Sequence, residues 1–179
     1  TGGNTYAYTI TAPTADIISA SSRLVLGGGK LTVAGRNTTT GTEAVSQTFN
    51  NTYLLLGRSY VTVTQGTANA DTVVNLGNIT RDAGSVLEFT PAAGTQSATN
   101  GITTTTANDA SGILGGWALL GNDWAVKSTA GTALGNVIAA TTQYSAYAGG
   151  DIVSSATSNL LINDGSATVT TGAGITNLN

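Results

Sequence analysis

Residues 72–89 read TVVNLGNITRDAGSVLEF, and this stretch decides the fold class. It holds two short apolar runs, Thr72 to Leu76 and Ser85 to Phe89, on either side of the turn signal Asp82-Ala83-Gly84. Val, Leu, Thr and Phe suit strands, whereas Asp and Gly suit turns. The stretch therefore predicts a strand, a turn and a second strand.

Apolar and polar residues alternate at several other places in the chain. Thr5 to Thr11, Lys30 to Val33 and Tyr60 to Thr64 have a period of two, which is typical of strands with one buried face. Pro13 and Pro91 both stand at the edge of a strand candidate. Further short apolar runs occupy residues 124–126, 137–139, 159–162 and 167–170. The sequence predicts an all-β fold and one unit over residues 1–179.

Two all-β architectures fit these strands. A β-sandwich connects about seven strands by hairpins. A parallel β-solenoid repeats an apolar triplet once per coil, and the triplets at 31–33, 53–55, 74–76 and 87–89 begin about two dozen residues apart before the interval shortens. At a spacing of about 4.8 Å we expect some eight coils in a rod of roughly 40 Å. We favour the solenoid, with the β-sandwich as the alternative.

Asparagines recur at a similar interval. Amides stacked along a cross-β axis can form a ladder. Asn is common in this chain, so chance spacing is the alternative. The four asparagines in question are Asn51, Asn75, Asn100 and Asn122.

The chain lacks or contains few of the side chains that enzymes most often use in catalysis. The chain has no His, Cys or Met, and charged residues make up 8% of its 179 residues. A net charge of −3 offers no basic surface for nucleic acid or anionic lipid. No apolar run approaches the roughly 20 residues of a membrane-spanning helix. We expect no enzymatic activity, no cofactor, no metal, no nucleic-acid partner and no membrane insertion.

Several glycine-rich and Trp-bearing segments resemble a known family. They are residues 24–33 (LVLGGGKLTV), 46–50 (SQTFN), 73–89 (VVNLGNITRDAGSVLEF), 112–118 (GILGGWA) and 122–125 (NDWA). Together they resemble bacterial proteins with autotransporter-associated β-strand repeats, over roughly residues 24 to 147. The Trp motifs after Ile-Thr-Arg-x-x-Gly are the most distinctive part.

The resemblance implies a right-handed parallel β-helix and an extracellular or cell-surface location. It identifies the chain as an excerpt or repeat unit of a longer exported protein with a structural or adhesive role. Its partners would be neighbouring repeats, copies of itself or surface glycans. A self-assembling fibre subunit is an alternative, because Thr5 to Thr11 and Ala167 to Thr170 both have strand character. A β-helical carbohydrate-active enzyme is a less favoured alternative.

Aromatic residues are the candidate contact sites. Trp117 and Trp124 either form a stacking surface for sugar rings or fill a corner of the core. Tyr6 and Tyr8 share one face of a strand candidate. Together with Tyr144 and Tyr147 they are candidates for an interface or a glycan contact.

The acidic residues offer two further candidates. Asp82 lies near Arg81 and Glu88 in the sequence, and a surface ion pair is the default interpretation of such a group. Four turn aspartates suggest calcium, although Asp in a turn commonly bonds to its own backbone. These four are Asp109, Asp123, Asp151 and Asp164.

Overall fold

The computed structural model describes residues 13–36, 43–66, 70–128, 134–146 and 157–162. These residues form fourteen β-strands and no helix. The strands are β1 (Arg23–Leu26), β2 (Lys30–Ala34), β3 (Val45–Thr48), β4 (Asn51–Leu54), β5 (Gly57–Thr64), β6 (Thr72–Asn75), β7 (Asn78–Arg81), β8 (Ser85–Thr90), β9 (Gly101–Thr104), β10 (Ala118–Leu120), β11 (Asp123–Lys127), β12 (Gly135–Ala139), β13 (Tyr144–Ala146) and β14 (Asn159–Leu161). The prediction of an all-β fold is confirmed. Predictions outside the described residues concern Thr5 to Thr11, Tyr6, Tyr8, Tyr147, Asp151, Asp164 and Ala167 to Thr170.

Strands β1 to β9 form a β-solenoid of about three turns. Each coil contributes one strand to each of three parallel stacks. The first face is β1-β4-β7, the second is β2-β5-β8 and the third is β3-β6-β9. Parallel pairing of strands that are distant in sequence requires a crossover, not a hairpin. The solenoid prediction is confirmed over the sandwich alternative.

The strand register sets the length of one coil. Arg23 pairs with Asn51, and Asn51 pairs in turn with Asn78. Residues that hydrogen-bond between coils are correspondingly far apart in sequence, with separations of 27 between Ile79 and Thr106 and 30 between Arg58 and Glu88. The prediction of about two dozen residues per coil, and of eight coils, is therefore wrong. The aligned triplets lie on β2, β4, β6 and β8, which belong to the second, first, third and second faces. Their spacing therefore does not measure one coil.

The asparagine ladder is also wrong, for the same reason. Asn51 has Asn78 as its neighbour in the next coil, and Asn75 has Thr103. Asn100 precedes β9 and Asn122 lies in the turn between β10 and β11. None of the four asparagines is therefore in register with another.

Inward-facing side chains of the three faces meet in one apolar core. Leu31, Val61 and Phe89 lie in register on the second face, and Val74 and Ile102 do so on the third. Val61, Val74 and Ile102 are fully buried, and Phe89 is almost so. Each such side chain contributes roughly 1.5–3 kcal/mol through removal of its surface from water.

Small polar side chains inside the solenoid bond to backbone groups. The Thr52 hydroxyl donates to the Leu76 carbonyl at 2.8 Å, and the Thr104 hydroxyl donates to the Gly77 carbonyl at 2.7 Å. The buried Ser59 hydroxyl accepts the Gly28 N–H at 3.1 Å. Because buried polar groups are costly without a partner, these bonds explain how a Thr-rich sequence fills a core.

Strands β10, β11 and β12 close the end of the solenoid that follows the third coil. Strand β10 pairs in parallel with β8, as Ala118 with Leu87. Strand β11 is antiparallel to β10, and β12 is antiparallel to both β11 and β9. This antiparallel cap therefore hydrogen-bonds to the outer edges of the second and third faces and ends their parallel stacks.

Three glycines allow the effect of a positive φ on stability to be compared with the effect of steric overlap. Gly77 and Gly121 have similar positive φ values of 60° and 64°. A Cβ on Gly77 would overlap the Asn50 carbonyl oxygen, whereas one on Gly121 or Gly116 would meet no atom within 4 Å. Gly116 has no positive φ.

We expect Gly77→Ala to lower the free energy of unfolding by about 3 kcal/mol, and Gly121→Ala by about 1 kcal/mol. Gly116→Ala should leave it unchanged within about 0.5 kcal/mol or raise it slightly. Urea unfolding followed by circular dichroism measures all three. Equal losses of unfolding free energy for Gly77→Ala and Gly121→Ala would contradict the close approach of Gly77 to the Asn50 carbonyl.

Candidate functional site

The two tryptophans that the sequence analysis proposed as contact sites lie in different clusters. Trp117 is half-buried against the main core, and the Arg81 guanidinium lies 5.6 Å from its ring centroid. Trp124 is half-buried against a second cluster formed by Ile113, Val126 and Ala140. The two indoles therefore do not form one surface.

Tyr144 packs with Trp124 in this second cluster. Its hydroxyl accepts the Trp124 backbone N–H at 3.0 Å and donates to the Asp123 carboxylate at 3.4 Å. Both polar contacts hold the ring against the cap. The structure thus brings together two of the predicted aromatic residues, in a packing arrangement that fixes β13 to β11.

A different group of residues is exposed on the first face. Val25 and Tyr53 are in register on β1 and β4. Val25 is 51% exposed, and Leu55 and Leu56 in the following corner are 42% and 70% exposed. Charged residues flank this apolar group. We call the whole set the first-face patch: Arg23, Val25, Tyr53, Leu55, Leu56 and Asp82.

Glycines in the neighbouring coils make room for the two leucines of the patch. A Cβ on Gly27 would lie 3.2 Å from Leu55 Cδ1, and a Cβ on Gly84 would lie 2.8 Å from Leu56 Cδ1. Because neither glycine has a side chain, Leu55 and Leu56 can pack across the surface of the corner between β4 and β5. Larger residues at either glycine would displace them.

Arg23 and Asp82 hold Tyr53 from the two neighbouring coils. The Arg23 guanidinium lies 4.6 Å from the Tyr53 ring centroid, and the Tyr53 hydroxyl donates to the Asp82 carboxylate. That hydrogen bond, with desolvation and the negative charge of Asp82, raises the pKa of Tyr53, while Arg23 acts in the opposite direction. The ring is thus fixed in position with its hydroxyl protonated.

A second aromatic and charged group lies on the second face. Arg58 pairs with Glu88, and its guanidinium lies 5.5 Å from the Tyr60 ring centroid. The hydrogen bond with Glu88 is the main cause that raises the pKa of Arg58. The ion pair expected within the group Arg81, Asp82 and Glu88 is not found: Glu88 pairs with Arg58 instead, and Arg81 donates to the backbone carbonyl of Asp82.

Sequence reasoning missed both groups because their members are one coil apart. Tyr53 and Asp82 are separated by 29 residues, and Arg58 and Glu88 by 30. Both separations correspond to one coil. A search for complementary residues at this spacing would have found them once the period was known.

Each acidic residue in the described part of the chain has a hydrogen-bond or ion-pair partner of its own. The Asp109 carboxylate accepts the Ser111 N–H at 2.8 Å and the Ser111 hydroxyl at 2.6 Å, as expected for Asp in a turn. Asp82 and Glu88 have the separate partners Tyr53 and Arg58. Among the described residues no group of three or more acidic side chains is placed to hold a metal ion.

The described residues form a β-solenoid with an exposed apolar patch on its first face. No protein-family model, curated protein or solved structure matches the chain significantly. A search of the described residues for a helix with the length and apolar character needed to span a membrane finds none.

We expect Tyr53 to ionise at a higher pH than an unperturbed tyrosine, and Asp82→Asn to lower its pKa. The substitution removes the negative charge that opposes formation of tyrosinate. Carbon-13 NMR of the tyrosine ring carbons across a pH titration measures this, with Tyr53→Phe assigning the signal. Glu88→Gln, which alters the group around Tyr60, is the control. A Tyr53 pKa that Asp82→Asn leaves unchanged would contradict the geometry.

Proposed function

We propose that this chain is a structural and adhesive segment of an exported bacterial cell-surface protein, and that it makes contact through the first-face patch. The observation that carries the proposal is the exposure of Val25, Leu55 and Leu56 around the fixed ring of Tyr53. A cluster of exposed apolar side chains with a charged rim is typical of an interaction surface.

The chemistry of the patch supports a contact role. Tyr and Arg are the residue types that most often dominate binding energy. Tyr53 is held in place before any partner arrives, so it loses little side-chain entropy on binding. Arg23 and Asp82 add a donor and an acceptor beside an apolar ring, a combination that suits the hydroxyls and apolar faces of a glycan.

The cell-surface location is supported by composition and by the family resemblance. A stacked fold with no Cys and 8% charged residues suits a long exported protein, because neighbouring coils avoid unpaired like charges. A solenoid also provides long lateral faces, along which weak contacts add through repetition.

The alternatives receive less support. A fibre subunit needs strand edges that accept another copy at both ends, and the cap already hydrogen-bonds to the β8 and β9 edges at one end. A glycosidase needs two carboxyl groups that flank one sugar. Asp82 and Glu88 are instead engaged with Tyr53 and Arg58 on different faces.

Binding to immobilised glycans tests the patch directly. On a glycan array we expect Tyr53→Ala and Leu56→Ser each to reduce binding about tenfold or more, since truncation of a central anchor costs more than about 1.4 kcal/mol. Tyr60→Ala is the matched control, because Tyr60 is also half-buried beside an arginine but lies on the second face. Equal losses for Tyr53→Ala and Tyr60→Ala, or no binding by the wild-type chain, would count against the glycan contact.

Immunolabelling tests the location independently of the ligand. Antibodies raised against the purified chain should label intact cells of the source bacterium without permeabilisation. Labelling that appears only after the cells are permeabilised would overturn the surface assignment.

A further inference from the structure

The first-face patch has Tyr53 at its centre and opposite charges at two opposite corners. Strand pairing aligns Val25 with Tyr53 and Tyr53 with Thr80, so Tyr53 has a neighbour in each adjacent coil. Arg23 lies two residues before Val25 in the first coil, and Asp82 lies two residues after Thr80 in the third. The ladder continues as far as Asp82, whose N–H donates at 2.9 Å to a carbonyl of the second coil.

The Tyr53 side chain connects these two corners. The Arg23 guanidinium lies 4.6 Å from the ring centroid, and the hydroxyl donates to Asp82. With about 4.8 Å between coils and about 6.7 Å between alternate residues of a strand, the Cα atoms of Arg23 and Asp82 are about 16 Å apart. The two charges are therefore held on opposite sides of one aromatic ring.

The apolar members of the patch are placed on either side of the same ring. Val25 neighbours Tyr53 in the first coil, and Leu55 is the next outward residue after Tyr53 in the second coil. Val25 is 51% exposed and Leu55 is 42% exposed. A line through Tyr53 at right angles to the diagonal from Arg23 to Asp82 divides the patch. Arg23 and Val25 lie on one side of that line, and Asp82 and Leu55 lie on the other.

We propose that the first-face patch pairs with the same patch of a second copy of the chain, about a two-fold axis that lies in the face along this line. Arg23 of each copy then meets Asp82 of the other. Val25 of each copy lies within about 3 Å, in the plane of the face, of Leu55 of the other. Such an interface is isologous, because one patch serves both copies. The inference rests on the proposed contact role of the patch and names its partner.

Charge selects this orientation among those that a two-fold axis through Tyr53 allows. An axis along the diagonal itself would place Arg23 against Arg23 and Asp82 against Asp82. An axis along the strands or along the stack of coils would place both charges opposite uncharged residues. Like charges in contact and charges buried without a partner both cost free energy. The proposed axis instead gives two attractive contacts.

The charged groups have the bonding capacity for these contacts. A guanidinium carries five N–H donors and a carboxylate has two acceptor oxygens. Tyr53 uses one oxygen of Asp82, so the other can accept from Arg23 of the second copy. Hydrogen bonds between two charged groups are stronger than those between neutral groups.

The size of the patch indicates weak pairing. It spans about 13 by 10 Å between its outer Cα atoms. A stable complex buries about 800 Å² on each partner. We therefore expect an equilibrium between single chains and pairs. Repetition strengthens weak contacts when many copies are held together, as they would be on one surface.

Charge reversal in separate chains tests the pairing. Arg23→Asp and Asp82→Arg each place like charges opposite one another at both contacts, so either variant should associate at least about tenfold more weakly than the wild-type chain. An equimolar mixture of the two variants restores opposite charges at both contacts. It should associate within about threefold of the wild-type chain. Sedimentation equilibrium at low ionic strength, from micromolar to millimolar concentrations, measures all four samples.

Lys30→Asp and Glu88→Arg are the matched controls. They make the same changes of charge on the second face. Each should associate as strongly as the wild-type chain, and mixing them should change nothing. An equal gain on mixing in both sets of variants would show general charge attraction and would overturn the proposal.

Two other outcomes would overturn it. One is a wild-type chain that stays monomeric at millimolar concentration. The other is a mixture of Arg23→Asp and Asp82→Arg chains that associates no more strongly than either variant by itself. If pairing is absent while Tyr53→Ala still lowers glycan binding, this inference fails and the proposed contact role of the patch stands. If neither pairing nor glycan binding is found, both fail.

Discussion

The parallel hydrogen-bond ladder between coils is the constraint on which the rest of the structure depends. It places every residue of a coil beside the residue one coil away, as in the series Arg23, Asn51 and Asn78. Inward columns must then be apolar or must bond to backbone carbonyls, as Thr52 does. Outward columns must avoid stacked like charges. The low charge and the abundance of Thr and Asn follow from these requirements.

The same ladder produces the lateral surface and leaves unpaired backbone groups at its ends. Arg23, Tyr53 and Asp82 come from three successive coils, so the first-face patch exists only because the coils are in register. A parallel stack leaves unpaired N–H and carbonyl groups at each end. The antiparallel cap of β10 to β12 satisfies those of the second and third faces after the third coil. At this end the fold therefore combines two capped strand stacks with exposed sides.

Local features of the fold were predictable from sequence, whereas the period was not. The runs Thr72 to Leu76 and Ser85 to Phe89 correspond closely to β6 and β8, because alternation and turn residues act over a few positions. Three similar strands in each coil obscured the repeat, since apolar triplets recur within a coil as well as between coils. Tyr53 was missed as a consequence: its partners are identified only by the register. The antiparallel pairing of β12 with β9 joins residues that are distant in sequence, such as Gly135 and Thr104, and no local pattern encodes it.

The central claim is the parallel register, and it is tested most directly by NMR distances between backbone protons around Val61 on β5. The structure predicts contacts from Val61 to Leu31 on β2 and to Phe89 on β8, each of which lies one coil away, in opposite directions along the chain. Both should show the evenly spaced pattern of parallel strands. Contacts from Val61 to a sequence-adjacent strand in an antiparallel pattern, as in a sandwich of hairpins, would contradict the account.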